Sequence, residues 1–137
     1  MTVDTWQTIR VFIIDDHPVV RNGLKSLLAG HADLVVVGEV GDGTEVLPWL
    51  TRHAVDVILL DIQMRGQDGI EIARQVRRAF PEVKIIILTT FDDENYLRGA
   101  LEAGVDDYLL KNVAHENLPD AIRTVMRGEQ DATIGSG

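Results

Sequence analysis

The chain has 137 residues, of which 45% are hydrophobic and 26% are charged, and its formal net charge is −9. This length suits one well-buried domain and is short for two. The negative charge argues against nucleic acid or an anionic membrane surface as a direct partner, because both bind to basic faces.

Other features of the composition restrict the class of protein further. The absence of cysteine excludes disulfides and thiolate metal sites. The first residues lack the apolar core of a signal peptide, and no apolar run approaches the ~20 residues of a membrane span. We therefore expect a soluble, cytoplasmic domain.

Short apolar runs rich in valine and isoleucine recur along the chain and predict β-strands. They cover residues 11–14, 34–37, 56–60, 84–88 and 108–110. Most of them lack polar alternation, which is typical of parallel strands covered on both faces.

The segments between these runs have the apolar spacing of helices. The apolar faces comprise Val20, Leu24, Leu27 and Leu28 in the first helix, Ile72, Ala73, Val76 and Phe80 in the third, Leu97, Ala100, Leu101 and Gly104 in the fourth, and Leu118, Ala121, Ile122 and Val125 in the fifth. The stretch GTEVLPWLTRH predicts a weaker second helix, in which Pro48 is tolerable only near the first turn. Gly30 and Gly104 fit helix ends.

This alternation predicts an α/β fold, a doubly wound five-stranded parallel sheet of order 2-1-3-4-5 with five helices and right-handed crossovers. We expect the domain to cover residues 9–128. Residues 1–8 would be an N-terminal extension, and the small, polar residues 129–137 would begin a linker or form a tail.

Three carboxylates follow the ends of two strands that are neighbours in this sheet order. Asp15 and Asp16 end the first strand and Asp61 ends the third. Because the carboxyl ends of parallel strands open on the same side, we expect the three acids to converge. Clustered hard oxygen ligands suit Mg²⁺, which also relieves their mutual repulsion.

Two further residues complete a set that suits a phosphoryl group. Thr89 closes the fourth strand with a hydroxyl, and Lys111 follows the fifth with an ammonium. The metal and the lysine would neutralise phosphoryl oxygens while a carboxylate attacks phosphorus. Each residue alone also has a plainer interpretation: Asp16 could cap a helix before His17 and Pro18, and Lys111 could be a surface lysine.

The motifs IIDDHPVVRNGL, DIQMRGQDGIE, ILTTFDDENYLRGALEAG and DDYLLK occur in this order along the chain. Together they resemble the receiver domain (the CheY-like fold) of response regulators in two-component signalling. The resemblance covers roughly residues 9–128 and is nearest to the NarL/FixJ subfamily, whose full-length members append a LuxR-type helix-turn-helix. That output domain is absent from this sequence, so we expect no direct DNA contact from this segment.

The resemblance implies a role for each site residue. Asp61 would accept the phosphoryl group from a sensor histidine kinase. Asp15 and Asp16 would hold Mg²⁺ together with Asp61 and the backbone carbonyl of Gln63. Lys111 would pair with phosphoryl oxygens. The domain would therefore act as a phosphoacceptor and not as an enzyme with a substrate of its own.

The resemblance also implies a conformational switch and an output. Thr89 precedes Lys111 by the number of residues typical of the family, and it would supply the switch hydroxyl. Tyr108 would be the aromatic residue that moves with it. Gln63 and Phe91 would influence dephosphorylation, because they flank the path of attacking water. Phosphorylation would promote a homodimer through the first and fifth helices, and would control transcription through the missing DNA-binding domain.

Some positions depart from the family pattern, and rival functions stay open. Arg65 stands where many relatives carry proline, and Asn112 follows Lys111 where aspartate or proline is frequent. His17 could tune the acidic pocket or serve to start a helix. A haloacid-dehalogenase-type phosphatase would need a second acid two residues after its nucleophile, but Gln63 follows Asp61 and His17 follows Asp15 at that spacing. In a flavodoxin-like FMN binder, the paired acids of the first loop would repel the FMN phosphate. The remaining alternative is a receiver-like interaction module that works without phosphorylation.

Overall fold

Strands and helices alternate along the chain in the computed structural model, which describes residues 8–90 and 94–128. The elements are β1 (Ile9–Ile14), α1 (Pro18–Ala29), β2 (Leu34–Val40), α2 (Val46–Arg52), β3 (Val57–Asp61), α3 (Gly69–Ala79), β4 (Lys84–Thr89), α4 (Glu94–Glu102), β5 (Asp107–Leu110) and α5 (Lys111–Met126). All ten elements were predicted from the hydrophobic pattern, and their existence and order are confirmed.

The five strands form one parallel sheet of order β2-β1-β3-β4-β5, as predicted. Ile14 pairs with Leu60 in the register of β1 and β3, so Asp15 and Asp61 come at the same level of two adjacent strands. Asp61 pairs with Leu88 of β4, which places Thr89 one residue further along the next strand. The register therefore gathers the predicted site residues at one edge of the sheet.

The sheet is covered on both faces, which explains why its strands are apolar without alternation. One core cluster joins β-strand residues to α1 and α5 through Leu24, Leu28, Leu118 and Ile122. The other joins the opposite face to α2, α3 and α4 through side chains such as Val46, Ile72, Val76 and Ala100. The predicted helical faces are thus core faces; Leu101 is an exception, because it is exposed.

Local sequence signals account for several helix boundaries. Asp68 caps α3 by accepting hydrogen bonds from the backbone N–H groups of Ile70 and Glu71. Pro48 is the third residue of α2, within the first turn, as its chemistry requires. Gly104, after α4, has a φ of +91°, which favours glycine, whereas Gly30 ends α1 in an ordinary right-handed conformation.

Two features of the helices were not predicted from the sequence. A short 3₁₀ turn (Gly43–Glu45) precedes α2. Pro119 lies inside α5, where the missing N–H breaks one helical hydrogen bond without ending the helix. No helix within the described ranges has both the length and the apolar composition to cross a membrane.

Candidate functional site

The predicted site residues meet at the carboxyl ends of the central strands. Asp15 follows β1, Asp61 is the last residue of β3, and Thr89 is the last residue of β4; all three are buried. Lys111 is the first residue of α5, directly after β5. The convergence expected from the sheet order is therefore present.

One ammonium group lies within ion-pair distance of two buried carboxylates in this pocket. Lys111 Nζ lies 3.6 Å from Asp15 Oδ2 and 3.5 Å from Asp61 Oδ1. Asp61 Oδ1 also accepts a hydrogen bond of 2.9 Å from the backbone N–H of Gln63. Since Asp16 adds a third carboxylate nearby, the negative charge of the pocket exceeds the single positive charge of Lys111.

The second oxygen of Asp61 is left without a donor. Asp61 is 1% exposed, and its Oδ2 accepts no hydrogen bond from the residues that the structure describes. Burial raises the pKa of the Asp61 carboxyl and the charge of Asp15 acts in the same direction, whereas the Gln63 N–H and Lys111 oppose them. A buried carboxylate oxygen without a donor is costly unless a cation or a proton neutralises it.

Asp16 is oriented by a residue from a distant part of the chain. Its Oδ2 accepts a hydrogen bond of 2.9 Å from the backbone N–H of Arg65, in the loop after β3. Asp16 caps no helix, so that plainer interpretation is wrong. Proline at position 65 would lack this donor, which gives the departure from the family pattern a structural consequence.

His17 joins the pocket through its side chain. Its Nδ1 lies 2.9 Å from Asp16 Oδ1, 3.1 Å from Asp15 Oδ1 and 4.0 Å from Asp61 Oδ2. It occupies the N-cap position of α1 but makes no side-chain capping bond there. One ligand atom from each of Asp15, Asp16, His17 and Asp61 lies within 4.8 Å of the others, an arrangement able to hold a metal ion.

Arg21 holds the backbone of Asp15 in place through a hydrogen bond. Its Nη1 donates a 2.6 Å hydrogen bond to the carbonyl oxygen of Asp15, and its Nε donates to Glu39 at 2.6 Å. Lys25 also pairs with Glu39, and these two cations hold the pKa of the Glu39 carboxyl below its usual value. The role of Arg21 was not predicted, since an arginine on a helix carries no signal of its partner.

The predicted switch residues lie on the neighbouring strands β4 and β5. Thr89 is fully buried at the end of β4, and Tyr108, in β5, is half-buried against the core cluster that includes α3 and α4. Thr90, not singled out from the sequence, donates to Gln63 Oε1 through its hydroxyl at 2.6 Å and its backbone N–H at 3.2 Å. Phe91 lies outside the described residues.

Comparison with known proteins identifies the family. The family model for the response regulator receiver domain matches residues 11–123. The chain belongs to this family. The predicted fold and the predicted class, a receiver domain of a two-component response regulator, are therefore confirmed.

The receiver domain is similar to parts of longer bacterial regulators. It is 45% identical over 121 residues to the uncharacterized transcriptional regulatory protein YxjL of Bacillus subtilis, covering 88% of this chain and 56% of YxjL. It is 38% identical over 122 residues to the response regulator VraR of Staphylococcus aureus, covering 89% of this chain and 58% of VraR. The chain thus spans little more than half the length of these relatives.

Solved structures support the predicted NarL/LuxR-type subfamily. A two-component response regulator of the LuxR family from Aurantimonas superimposes with a TM-score of 0.87 at 28% identity, covering 95% of this chain and 94% of that one. The isolated receiver domain of RcsB from Salmonella enterica, determined with the phosphomimetic BeF₃⁻, gives a TM-score of 0.85 at 29% identity, covering 95% and 98% of the two chains. The NarL/LuxR-type assignment is confirmed.

Proposed function

We propose that this receiver domain accepts a phosphoryl group on Asp61 from the phosphohistidine of a sensor histidine kinase. The proposal is supported by the burial of the Asp61 carboxyl and by the partners of its two oxygens. It is buried at the end of the central strand, one oxygen is held by Gln63 and Lys111, and the other has no donor among the described residues. Such a carboxylate is oriented for attack and incompletely neutralised.

The transfer is a displacement at phosphorus. An oxygen of Asp61 forms the new bond to phosphorus as the phosphorus–nitrogen bond to the kinase histidine breaks, and the departing imidazole keeps the electron pair and takes a proton from solvent. The Lys111 ammonium, 3.5 Å from Asp61 Oδ1, would pair with a phosphoryl oxygen and stabilise the charge on the transferring group.

The donor set fits a divalent cation such as Mg²⁺. Asp15, Asp16 and Asp61 would hold it together with the backbone carbonyl of Gln63. The buried Asp61 Oδ2, which accepts no hydrogen bond from the described residues, supports this assignment. When bound, the ion supplies positive charge that neutralises the carboxylates and the phosphoryl oxygens.

The phosphoryl group would then bias a two-state equilibrium through Thr89 and Tyr108. The buried Thr89 hydroxyl would turn towards a phosphoryl oxygen, and the Tyr108 ring would move into the space that is left. A bound group shifts such an equilibrium only through contacts that are better in one state. The side chain of Gln63, held by Thr90, and Phe91 would control the access of hydrolytic water to the acyl phosphate.

The output would be a homodimer through α1 and α5. The apolar residues Leu24, Leu28, Leu118 and Ile122 are buried within the monomer, so the dimer would use the outer surfaces of these helices. In the longer protein this change would control a DNA-binding domain, while the receiver segment, with its net charge of −9, would not contact DNA itself.

The test is intact mass after incubation with a small phosphodonor, with Mg²⁺ or with a chelator. Wild type is expected to gain one phosphoryl adduct that requires Mg²⁺, and Asp61→Asn is expected to gain none. Asp120→Asn, which alters an aspartate on the exposed side of α5, serves as the matched control and should retain the adduct. A wild-type protein that binds Mg²⁺ and takes no phosphoryl group from any donor, the kinase included, would favour the phosphorylation-independent interaction module.

A further inference from the structure

The imidazole of His17 lies among the carboxylates and not at the helix end that its position in the chain suggests. Its backbone N–H donates to Asp15 Oδ1 at 2.8 Å, while the side chain is 52% exposed and makes no bond to the N-terminus of α1. The side chain has turned into the pocket, where Nδ1 faces oxygens from three different acids.

The distances around Nδ1 match those between ligands of one metal ion. When bonds to a metal are about 2.1 Å long, neighbouring ligands of an octahedron lie about 3.0 Å apart and opposite ligands about 4.2 Å apart. Nδ1 lies 2.9 Å from Asp16 Oδ1, 3.1 Å from Asp15 Oδ1 and 4.0 Å from Asp61 Oδ2. The last of these oxygens belongs to a side chain that is 1% exposed, and it has no hydrogen-bond donor among the described residues.

We propose that His17 Nδ1 is a ligand of the divalent cation held by Asp15, Asp16 and Asp61, and that it makes this pocket favour transition-metal ions over Mg²⁺. The inference rests on the proposed cation site and adds a nitrogen ligand to its oxygen donors. In the metal-bound form the ring proton resides on Nε2, and Nδ1 presents its lone pair to the ion.

The consequence for selectivity follows from ligand chemistry. Oxygen donors alone suit Mg²⁺ and Mn²⁺, whereas an imidazole nitrogen preferentially strengthens binding of ions such as Co²⁺ and Ni²⁺. Removal of His17 should therefore weaken Ni²⁺ binding much more than Mg²⁺ binding. The ratio of the two affinities is the quantity that distinguishes a ligand from a residue that only shapes the pocket.

The experiment measures the dissociation constants of Mg²⁺ and Ni²⁺ by calorimetry, using the full chain without a histidine tag. The variants are His17→Gln and His53→Gln; His53 stacks on Trp49 outside the pocket and is the matched control. We expect His17→Gln to raise the dissociation constant for Ni²⁺ about tenfold or more while that for Mg²⁺ changes less than about threefold. The control should match wild type for both ions.

A spectroscopic measurement tests the bond itself. Pulsed electron paramagnetic resonance of bound Mn²⁺ should detect coupling to a ¹⁴N nucleus in wild type and lose it in His17→Gln. Retention of the coupling in His17→Gln, or an unchanged Ni²⁺ to Mg²⁺ affinity ratio, would overturn the proposal. If wild type binds neither ion in the pocket, the cation site of the proposed function fails as well; if Mg²⁺ binds and only the ratio is unchanged, the His17 ligand alone is wrong.

Discussion

Lys111 Nζ lies between two buried carboxylates, 3.6 Å from Asp15 Oδ2 and 3.5 Å from Asp61 Oδ1. One ammonium group therefore faces two carboxylates. Asp16 adds a third carboxylate, whose partners among the described residues are only His17 and the Arg65 N–H, so the pocket holds more negative than positive charge. The excess charge raises the free energy of the metal-free domain. The same excess suits the pocket for a divalent cation, whose positive charge a phosphoryl group would need beside these carboxylates.

The raised pKa of Asp61 gives a prediction for stability against pH. Folded Asp61 holds its proton more tightly than the unfolded chain does, so the metal-free domain should lose stability as pH rises through about 4, the ordinary pKa of aspartate, towards the raised value. In a chelator at pH 7, Asp61→Asn should therefore be more stable than wild type, by on the order of 1 kcal/mol. The difference should shrink as the pH falls to about 4, as measured by urea unfolding.

Asp56→Asn is the control, for which the opposite change in stability at pH 7 is expected. Hydrogen bonds from Arg10 hold the pKa of Asp56 below its ordinary value, so the stability it contributes is present above that ordinary value and is lost as pH falls. This variant should be less stable than wild type at pH 7, and the deficit should diminish in acid. Equal pH profiles for the two variants would contradict the account of Asp61.

The hydrogen bond from Arg65 to Asp16 predicts a difference between two substitutions. Arg65→Pro removes the N–H that donates to Asp16 Oδ2, whereas Arg65→Ala keeps it. We expect Arg65→Pro to be less stable than Arg65→Ala by about 1–2 kcal/mol in the metal-free protein, since one hydrogen bond to a charged group is lost. Denaturant midpoints measure this difference, and coincident unfolding curves would show that the bond contributes nothing.

At the scale of elements, the docking of α3 against β3 positions the Asp61 backbone. A Cβ on Gly69, the first residue of α3, would clash with the Ile62 Cα and lie 3.1 Å from the Asp61 carbonyl oxygen. The backbone on both sides of this contact has little room to move. Glycine is required here by close approach and not by backbone conformation.

Gly69→Ala should therefore separate α3 from β3 and cost about 1–3 kcal/mol of stability. The matched control is Gly99→Ala in α4, whose Cβ would meet only the end of the Ile70 side chain, at 3.2 Å. There the gain in helix propensity, about 1 kcal/mol, offsets the tighter contact. Thermal unfolding of both variants measures the contrast, which would be refuted if Gly99→Ala were the more damaging substitution.

The elements also show what the sequence could predict. Unbroken apolar runs predicted all five strands, and the expected sheet order predicted that Asp15, Asp16 and Asp61 converge. Contacts between distant loops carried no such signal: neither the Arg65–Asp16 bond nor the Thr90–Gln63 bond follows from a local pattern. The adjacency of His17 to the paired acids was visible, but the direction of its side chain was not.

At the scale of the whole molecule, the exposed surface of α1 bears on the proposed dimer. Val19 is 82% exposed, whereas Val20, Leu24, Leu27 and Leu28 of the same helix pack in the core cluster. With Mg²⁺ and a beryllofluoride phosphoryl mimic, the molar mass measured by light scattering should change from monomer to dimer. Val19→Lys should weaken this dimer about tenfold or more, as expected for a charge placed in an interface.

Leu101→Lys on α4 is the control for that prediction, because Leu101 is also exposed but lies on the other face of the sheet. It should dimerise as wild type does. Loss of the dimer in Leu101→Lys, with Val19→Lys unaffected, would assign the interface to α4 instead of α1 and α5.

The most direct test of the central claim is to locate the phosphoryl group in the chain. After reaction with a small phosphodonor and Mg²⁺, borohydride reduction converts an aspartyl phosphate into homoserine, and tandem mass spectrometry of peptides identifies the position. We expect homoserine at position 61 and unmodified aspartate at positions 15 and 16. Modification at Asp15 or Asp16, or of a histidine with Asp61 intact, would contradict it.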